Sequence, residues 1–564
     1  MEKKINLQKL FIEKKYEDII SIIENNIPEK QKNPAIINLL GVCRLSKKKV
    51  NKEDIVSAIN DFQKSYLKEK EIKESLQGFK NFINASLRLF DFENSEKNHQ
   101  NSIFYFENAL NFFEQNKNYL GKEESILVLL TRVHKRLNNL DKVRFYLGEL
   151  INNKFHSPQN ICNYIYYNCF SKDWSQLEFL RYGKLLQQNL PIYPKNKFIS
   201  SNYFKNKKIK IGFLSSDIIN NHSVTYFLKT VINNYDKNNF QIYLYLNNKK
   251  IYHDETTQFF IDKVDNSHNI SDLNDTDAIN LIRNDKIDIL IDLMGITSDS
   301  RLQIIKNRVA SKQILWCGYC NTTGVDEMDF IIADKNLIYE SEHNLYREKI
   351  LYLPNIWNCH SGINFKRSFN EAPSTQNNNI TFGSFNNFNK ISDNVIKTWS
   401  EILKTVKNSK LILKSSSPTM TSSLSNKFEK ENVLESIEFE PHVKNFDEHM
   451  RHYKKIDIAL DTFPYNGVTT SFEAIWMGVP VLTMQGYNFN SRCGESINKN
   501  LNLNCLIAKD EQDYILKAKE FSNYDKLSKI RKKIFDDAFL SPLFDEKNFS
   551  KDFFNLLKSV HSKN

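Results

Sequence analysis

Long apolar runs are missing from this sequence, and cysteine is scarce. None of the 564 residues belongs to a continuously apolar stretch of about 18 residues, so an ordinary membrane-spanning helix is excluded. The start, Met-Glu-Lys-Lys-Ile-Asn, also lacks the apolar core of a signal peptide. Eight cysteines in a chain of this length do not form a disulfide framework. We therefore expect a cytoplasmic protein that has no membrane partner.

A strong excess of one charge is lacking too. The 78 basic and 67 acidic residues give a net charge of +11, which is spread along the chain. Nucleic-acid binding requires Lys and Arg gathered on one element, and only Lys205–Lys210 forms a short cluster. We expect no nucleic-acid partner. With 40% hydrophobic and 26% charged residues, the composition is typical of a globular protein, and the length predicts several domains.

Glycine and proline punctuation is lacking over residues 1–195, where apolar residues recur at helical spacing. This pattern predicts an all-α region. Tetratricopeptide units of about 34 residues place small or apolar residues at set points on paired helices. Such positions recur in register at Ile37, Leu40 and Gly41; at Ala58, Phe62 and Ser65; at Ser102, Phe106 and Ala109; and at Leu127, Leu130, Thr131, His134, Val143, Leu147 and Leu150. We interpret residues 1–195 as degenerate tetratricopeptide-like repeats, with a generic helical bundle as the alternative.

Beyond Tyr203, apolar runs alternate with helical segments, as in parallel sheets. The first series of strands is predicted at Ile209–Leu214, Phe240–Leu246, Ile287–Leu293, Gln313–Trp316, Phe330–Ala333 and Ile350–Leu353. The second series is predicted at Ile380–Phe385, Lys410–Lys414, Ile437–Phe439, Ile456–Leu460 and Val479–Met484. A polar loop, Lys366–Asn379, separates them. The sequence thus predicts an α/β chain with two doubly wound, Rossmann-like domains, at 205–368 and 380–564, which hold a ligand at the carboxyl ends of their strands.

The segment around residue 466 carries the clearest chemical signal. A short apolar strand ends at Asp461, and Pro464-Tyr-Asn-Gly467 then forces a turn. Thr469, Thr470 and Ser471 open the helix that follows. Unpaired N–H groups and the positive end of the helix dipole favour an anion there. The run predicts a diphosphate site of the kind that a nucleotide sugar needs. The alternative is that Thr469, Thr470 and Ser471 only cap the helix.

Six separated blocks of sequence carry a family resemblance. They are Phe213-Leu-Ser-Ser-Asp-Ile-Ile-Asn-Asn-His222; Ile289-Leu-Ile-Asp-Leu-Met-Gly295; Trp316-Cys-Gly-Tyr-Cys-Asn-Thr-Thr-Gly324 with Met328-Asp-Phe-Ile-Ile-Ala-Asp334; Gly383-Ser-Phe-Asn-Asn-Phe-Asn-Lys390; the run from Asp457 to Thr483; and Ser541-Pro-Leu-Phe544. In this order they resemble the protein O-linked N-acetylglucosamine transferases, the tetratricopeptide-containing glycosyltransferase family 41, which includes bacterial SPINDLY-like members. The resemblance covers residues 208–560.

The family resemblance implies a fold and an activity. It implies a GT-B fold, with the second Rossmann-like domain holding uridine diphosphate. It also implies an inverting enzyme that moves N-acetylglucosamine from UDP-N-acetylglucosamine to Ser or Thr hydroxyls of a polypeptide held by the repeats. Neither a metal nor a cofactor is expected beyond this donor substrate.

The resemblance also assigns donor-binding residues. Lys390 would neutralise the leaving diphosphate by preorganised electrostatics, and Asn387 stands where the family has a glutamine. Lys444 and His449 would flank the nucleotide. Glu473 would accept hydrogen bonds from the ribose hydroxyls. The full set of donor-binding candidates is Asn387, Lys390, Lys444, His449, Gly467, Thr469, Thr470 and Glu473.

Catalytic candidates lie in the first Rossmann-like domain as well. His222 matches a proposed general base, which suits proton removal from a hydroxyl, but it could instead shape the sugar pocket. Asp285 matches an acid considered for proton relay, with an exposed helix-end carboxylate as the alternative. Asp275-Thr-Asp277 has the spacing of a metal-binding pair in other glycosyltransferases, but its polar loop favours a solvated role.

Departures from the family leave alternatives open. Ile296 stands where bacterial relatives often have His, and Val468 stands where animal members have His. A related enzyme that uses another donor, such as UDP-glucose, or that modifies Asn is therefore an alternative. An inactive repeat scaffold is another. Arg492 is expected either near the phosphates or in a structural role.

Overall fold

The computed structural model describes residues 6–69, 71–96, 100–193, 208–377, 379–415, 418–441, 443 and 445–562. It divides into two compact units, Met1–Phe155 with Ser416–Leu424, and His156–Ser415 with Ser425–Asn564. The domain boundaries at 195, 205, 368 and 380 stay predictions. Among the described residues, no helix combines the length and the apolarity that a bilayer crossing requires.

The first unit is built from helices over its whole described length, as the lack of Gly and Pro punctuation predicts. Asn33 and Asn51 cap the second pair of long helices, and Pro34 occupies the first turn of one of them. Gly41 allows these two helices to approach closely, because a Cβ there would lie 2.7 Å from the Phe62 ring. The helices are α1 Leu7–Ile12, α2 Tyr16–Asn26, α3 Pro34–Leu45, α4 Lys52–Lys68, α5 Ile72–Glu96, α6 Gln100–Gln115, α7 Lys117–Leu120, α8 Glu124–Arg136 and α9 Leu140–Asn152.

The repeat positions identified in the sequence lie on these helices. Phe62 of α4, Phe106 of α6 and Leu130 of α8 are fully or almost fully buried. Their burial is the physical reason for the periodicity. The all-α expectation for this region is confirmed, and the finer tetratricopeptide interpretation stays a prediction.

The second unit contains two parallel sheets with helices around them. The first sheet has the order β3-β2-β1-β4-β5-β6-β7, and the second has the order β10-β9-β8-β11-β12-β13. The strands are β1 Ile209–Ser215, β2 Phe240–Leu246, β3 Asn266–Asn269, β4 Ile289–Asp292, β5 Lys312–Leu315, β6 Phe330–Ala333, β7 Lys349–Tyr352, β8 Thr381–Ser384, β9 Lys410–Ser415, β10 Ile437–Pro441, β11 Ile458–Leu460, β12 Val481–Met484 and β13 Ile507–Ala508.

The remaining helices precede β1, connect the strands or follow β13, and the helix Pro418–Lys430 belongs, up to Leu424, to the first unit. They are α10 Pro158–Asn168, α11 Gln176–Asn189, α12 Ser223–Asn233, α13 Glu255–Lys263, α14 Asp275–Asp285, α15 Leu302–Lys306, α16 Ser374–Asn377, α17 Asp393–Thr405, α18 Pro418–Lys430, α19 Phe446–His452, α20 Thr469–Trp476, α21 Phe489–Lys499, α22 Glu511–Phe521, α23 Tyr524–Asp537 and α24 Glu546–Ser562. The strand order reverses direction between β1 and β4 and between β8 and β11. In doubly wound sheets these reversal points open the crevices where ligands bind.

The last helix, α24, packs on the first sheet rather than on the second. Phe553 lies 4.6 Å from Trp316, and Phe554 lies 4.7 Å from Phe240, measured between ring centroids. Trp316 and Phe240 are each 1% exposed. The end of the chain therefore completes the core of the domain that was begun at β1.

Candidate functional site

A tight turn follows β11 and is held by the carboxylate of Asp461. Oδ1 of Asp461 accepts hydrogen bonds from the N–H groups of Thr462, at 2.9 Å, and Gly467, at 2.7 Å. Its Oδ2 accepts from the Thr483 hydroxyl at 2.7 Å. Burial raises the pKa of Asp461 to about 6, against these hydrogen bonds, which lower it. The turn is thereby fixed in place before any ligand arrives.

The turn delivers the chain into α20, whose amino end is open. The N–H groups of Val468, Thr469 and Thr470 donate to no backbone carbonyl within the described structure. Thr470 Oγ1 donates to Asn386 Oδ1 at 2.9 Å, whereas the Thr469 hydroxyl forms no hydrogen bond to the described residues. A Cβ at Gly467 would come within 2.5 Å of both Asn386 and Thr470. Bare backbone at Gly467 thus leaves these donors accessible to an anion.

Lys390 brings a positive charge to this helix end. It lies in the short 3-10 turn Phe388–Lys390 after β8, next to β11 in the sheet. Its Nζ donates to the Asn466 carbonyl at 2.7 Å and lies 4.3 Å from the centroid of the Tyr465 ring. Burial lowers the pKa of Lys390, and nearby Asp461 partly offsets that effect. An anionic ligand would favour the charged ammonium further.

Asn387 and Gly467 differ in how closely they approach this group. Asn387 is exposed, and its side chain accepts a hydrogen bond from Asn389 N at 3.0 Å. Gly467 is buried in the turn itself. Asn386, which is 7% exposed, accepts the hydrogen bond from the Thr470 hydroxyl, and Asn387 does not.

A chain of polar side chains joins three elements beside α20. Nζ of Lys414, at the end of β9, lies 2.7 Å from Nδ1 of His449 on α19. Nε2 of His449 lies 2.9 Å from Oε2 of Glu473 on α20. An ammonium can only donate, so Nδ1 accepts and Nε2 carries the hydrogen that Glu473 receives. Burial lowers the pKa of Lys414, and Glu473 works against that shift.

Glu473 also accepts the Tyr453 hydroxyl on the same oxygen, at 2.8 Å. Its Oε1 accepts no hydrogen bond from the described residues, so this oxygen is available for a ligand hydroxyl. A carboxylate held in this way can accept hydrogen bonds from a sugar diol. Sequence reasoning missed Lys414 and Tyr453; a charged residue that ends a buried strand was the only signal for Lys414.

The first sheet places the other two catalytic candidates apart. His222 precedes α12, with its side chain 37% exposed and its Nε2 3.7 Å from Oδ1 of Asp217. Asp285 ends α14, where it accepts the Tyr245 hydroxyl at 2.7 Å and lies 3.3 Å from Nε2 of His268. No described contact joins Asp285 to His222. Their roles in proton transfer stay predictions.

Two residues that the sequence suggested for ligand or metal binding are not seen in such a role. Lys444 lies outside the described residues. Asp275, considered with Asp277 as a metal-binding pair, instead forms an ion pair with Arg301 at 2.5 Å. Within the described ranges, no cluster of three or more His, Cys, Asp or Glu residues is arranged to hold a metal ion.

Arg492 has a structural role. It is 4% exposed, and its Nη1 and Nη2 donate to the two carboxylate oxygens of Glu342 at 2.6 and 2.7 Å. Its guanidinium carbon lies 4.0 Å from the centroid of the Tyr339 ring. Arg492 belongs to α21, whereas Glu342 lies between β6 and β7, so this pair joins the two sheets' domains.

Comparison with known proteins gives a consistent picture. The family model of glycosyl transferase family 41 matches residues 179–364 and 367–553. A protein from Solanum lycopersicum named probable UDP-N-acetylglucosamine–peptide N-acetylglucosaminyltransferase SPINDLY is 32% identical over 384 residues, which cover 66% of this chain and 40% of that protein. The Arabidopsis thaliana protein of the same name is 32% identical over 356 residues, which cover 61% and 38%. The matched region thus spans about 40% of the length of these relatives.

Among solved structures, an O-GlcNAc transferase mutant from Thermobaculum terrenum superposes with a TM-score of 0.77. The alignment covers 94% of this chain and 98% of that one, at 22% sequence identity. This likeness concerns the fold. It confirms the predicted architecture of two Rossmann-like domains preceded by a helical region.

Proposed function

The chain belongs to glycosyl transferase family 41, and from that premise we propose that it transfers N-acetylglucosamine from UDP-N-acetylglucosamine to Ser or Thr hydroxyls of a polypeptide. The reaction proceeds with inversion, without a metal or a further cofactor. The names of the plant relatives, which specify UDP-N-acetylglucosamine and a peptide, support the donor and the acceptor class.

The observation that carries this proposal is the open amino end of α20 with Lys390 beside it. The free N–H groups of Thr469 and Thr470 and the ammonium of Lys390 offer donors and positive charge to a diphosphate. Glu473 offers its Oε1 to the ribose. Such preorganised groups stabilise the negative charge that develops on the leaving diphosphate.

The acceptor hydroxyl must lose a proton while it attacks the anomeric carbon from the face opposite the leaving group. We assign this proton to His222, whose Nε2 faces Asp217. The imidazole accepts the proton as a general base, and the Asp217 carboxylate lies beside it. We also assign the helical region of residues 1–195 to binding the acceptor polypeptide.

Mass spectrometry of the purified full chain with UDP-N-acetylglucosamine and Ser/Thr-rich polypeptides tests this function. We expect N-acetylhexosamine on Ser or Thr, its removal by a β-specific hexosaminidase, and an unchanged rate in excess EDTA. A hexose adduct with UDP-glucose, or modified Asn, would replace the proposal with the related transferase. No transfer with any nucleotide sugar, in spite of UDP binding, would favour the scaffold.

A further inference from the structure

A large cavity opens at the carboxyl ends of β1, β2, β3 and β4, separate from the α20 site. Its volume is about 1190 Å³. The segments that follow these four strands form most of its wall, including Asp217 after β1, Asn248 after β2, Asp277 in the first turn of α14 after β3, and Asp299 after β4. A space of this size exceeds an ordinary small-molecule pocket and accommodates a segment of polypeptide.

The cavity wall is acidic, although the chain as a whole carries a net charge of +11. Asp217, Asp277 and Asp299 have no Lys or Arg within ion-pair distance among the described residues, and Lys249 is the one lysine of the wall. Arg301 is already neutralised by Asp275. Asp217 lies beside His222 and burial raises its pKa, so Asp277 and Asp299 are the two carboxylates that set the charge of the wall against Lys249, which favours a positively charged occupant.

Asn248 gives independent evidence for a ligand. It is 7% exposed, and neither Oδ1 nor Nδ2 forms a hydrogen bond in the described structure. An unpaired buried amide is unfavourable, because its lost hydrogen bonds to water are not replaced. Its one acceptor and its donors match the N–H and C=O of a peptide backbone. Both amide atoms have almost no accessible surface, so the side chain must turn toward the cavity before a peptide group of an occupant can satisfy them.

Tyr252 lies at the same wall with 62% of its surface exposed. An aromatic face beside carboxylates is a favourable environment for a Lys or Arg side chain, because cation–π attraction adds to the ionic attraction. Asp217 links the cavity to His222, 3.7 Å away. A polypeptide in the cavity therefore passes the residue assigned as the base.

We propose that this cavity binds a basic segment of the acceptor polypeptide, with Asn248 on its backbone and Asp277, Asp299 and Tyr252 around its Lys or Arg side chains. This inference rests on the proposed function, since it selects among acceptors of that reaction. It makes the enzyme prefer Ser or Thr sites that have basic neighbours.

The test uses three Ser-containing peptides of equal length, with Lys, Gln or Glu at alternate positions. Binding to the full chain is followed by fluorescence anisotropy in the presence of UDP, at low and high salt. We expect the Lys peptide to bind best and its advantage to shrink with salt, because screening weakens exposed charge pairs. Equal binding of all three peptides would overturn the proposal.

A double variant and a matched control locate the effect. Asp277→Asn combined with Asp299→Asn is expected to weaken binding of the Lys peptide about fivefold and to leave the Gln peptide unchanged. Asp299 has a φ of 59°, which Asn tolerates well. Asp272→Asn is the control, because Asp272 is exposed on the neighbouring loop and outside the cavity wall. An equal effect of Asp272→Asn would contradict the assignment.

Asn248→Leu tests the backbone contact separately. We expect about fivefold weaker binding of every peptide, with an unfolding temperature that does not fall, because the unpaired amide is removed. Unchanged binding with a lower unfolding temperature would show that Asn248 has only a structural role. UDP binding without peptide discrimination defeats this inference alone, whereas charge-selective peptide binding without transfer defeats the proposed function alone.

Discussion

At the scale of single residues, two charged groups beside α20 are shielded from water, Asp461 fully and Lys390 partly. Lys390 bonds to the Asn466 carbonyl, and burial lowers its pKa. Asp461 is 2% exposed, and burial raises its pKa to about 6. Both pKa shifts mean that burial disfavours the charged form of the group. A bound diphosphate would compensate Lys390, which is why we assign that residue to the ligand.

Lys390→Ala should reduce kcat by about 10²–10³, the usual loss when one preorganised electrostatic donor is removed. UDP affinity should also fall, measured by calorimetry. Lys397→Ala is the matched control, because Lys397 is exposed on α17, the helix that follows this turn. Turnover that is equal in the two variants would show that Lys390 is not the residue that neutralises the diphosphate.

Asp292, at the end of β4, should make stability depend on pH. Burial raises its pKa to about 7, although the N–H groups of Met294 and Gly295 work against this shift. In the unfolded chain Asp ionises near its ordinary pKa of about 4, so the folded state holds a proton that the unfolded state loses. Stability from this group is therefore lost as pH rises from about 4 to about 7.

Asp292→Asn removes that titration. The free energy of unfolding of the variant, relative to the unsubstituted protein, should rise by up to about 4 kcal/mol between about pH 4 and about pH 8. Urea unfolding at several pH values measures this difference, and the exposed Asp272→Asn serves as control. A flat difference across that range would mean that the Asp292 carboxyl is not protonated in the folded protein at the lower pH.

At the scale of elements, the sequence predicted strands well where burial makes them apolar and poorly elsewhere. β2 and β6 lie at the predicted bounds, Phe240–Leu246 and Phe330–Ala333. β3, with the sequence Asn-Ser-His-Asn, was missed because it lies at the sheet edge and is only partly buried. β13 was missed because two residues leave no pattern.

The site divides along the same line. The turn after β11 and the start of α20 could be predicted, because the turn-forming residues and the hydroxyl residues occur in one continuous run of sequence. The contacts of Lys414 and Tyr453 with His449 and Glu473 were not, because they join β9, α19, the turn after α19 and α20. Local sequence carries no information about which polar side chains meet across elements.

The first two residues of α20 should differ in what they lose on substitution. Thr469→Val should weaken UDP binding about fivefold without changing the unfolding temperature, because its hydroxyl has no partner among the described residues. Thr470→Val should lower stability by about 1 kcal/mol as well, since it breaks the bond to Asn386.

Calorimetry with UDP and thermal unfolding of both variants measure the contrast. Each substitution keeps the side-chain shape, so each variant is the control for the other. Loss of stability in Thr469→Val, or its absence in Thr470→Val, would reverse the assignment of the two hydroxyls.

At the scale of the molecule, the two sheets of the second unit are joined by an ion pair between the buried Arg492 and the partly buried Glu342. Removing Glu342 leaves the buried guanidinium uncompensated, which costs up to about 3–5 kcal/mol, and removing Arg492 costs less because water reaches Glu342. Arg492→Met, Glu342→Gln and the double variant should therefore show strong non-additivity in the free energy of unfolding. The exposed pair Lys532 and Asp536, 2.7 Å apart on α23, provides a control cycle with about 0.5 kcal/mol of coupling or less. Additive losses at Arg492 and Glu342 would show that they act independently.

The packing of Phe553 and Phe554 against Trp316 and Phe240 constrains the order of events during synthesis. A ribosome that has finished β1 to β7 has made every strand of that sheet but not the helix that covers its aromatic side chains. Those rings stay exposed until residues 546–562 have emerged. Loss of residues 546–562 would thus leave the earlier domain, rather than the later one, open to aggregation and proteolysis.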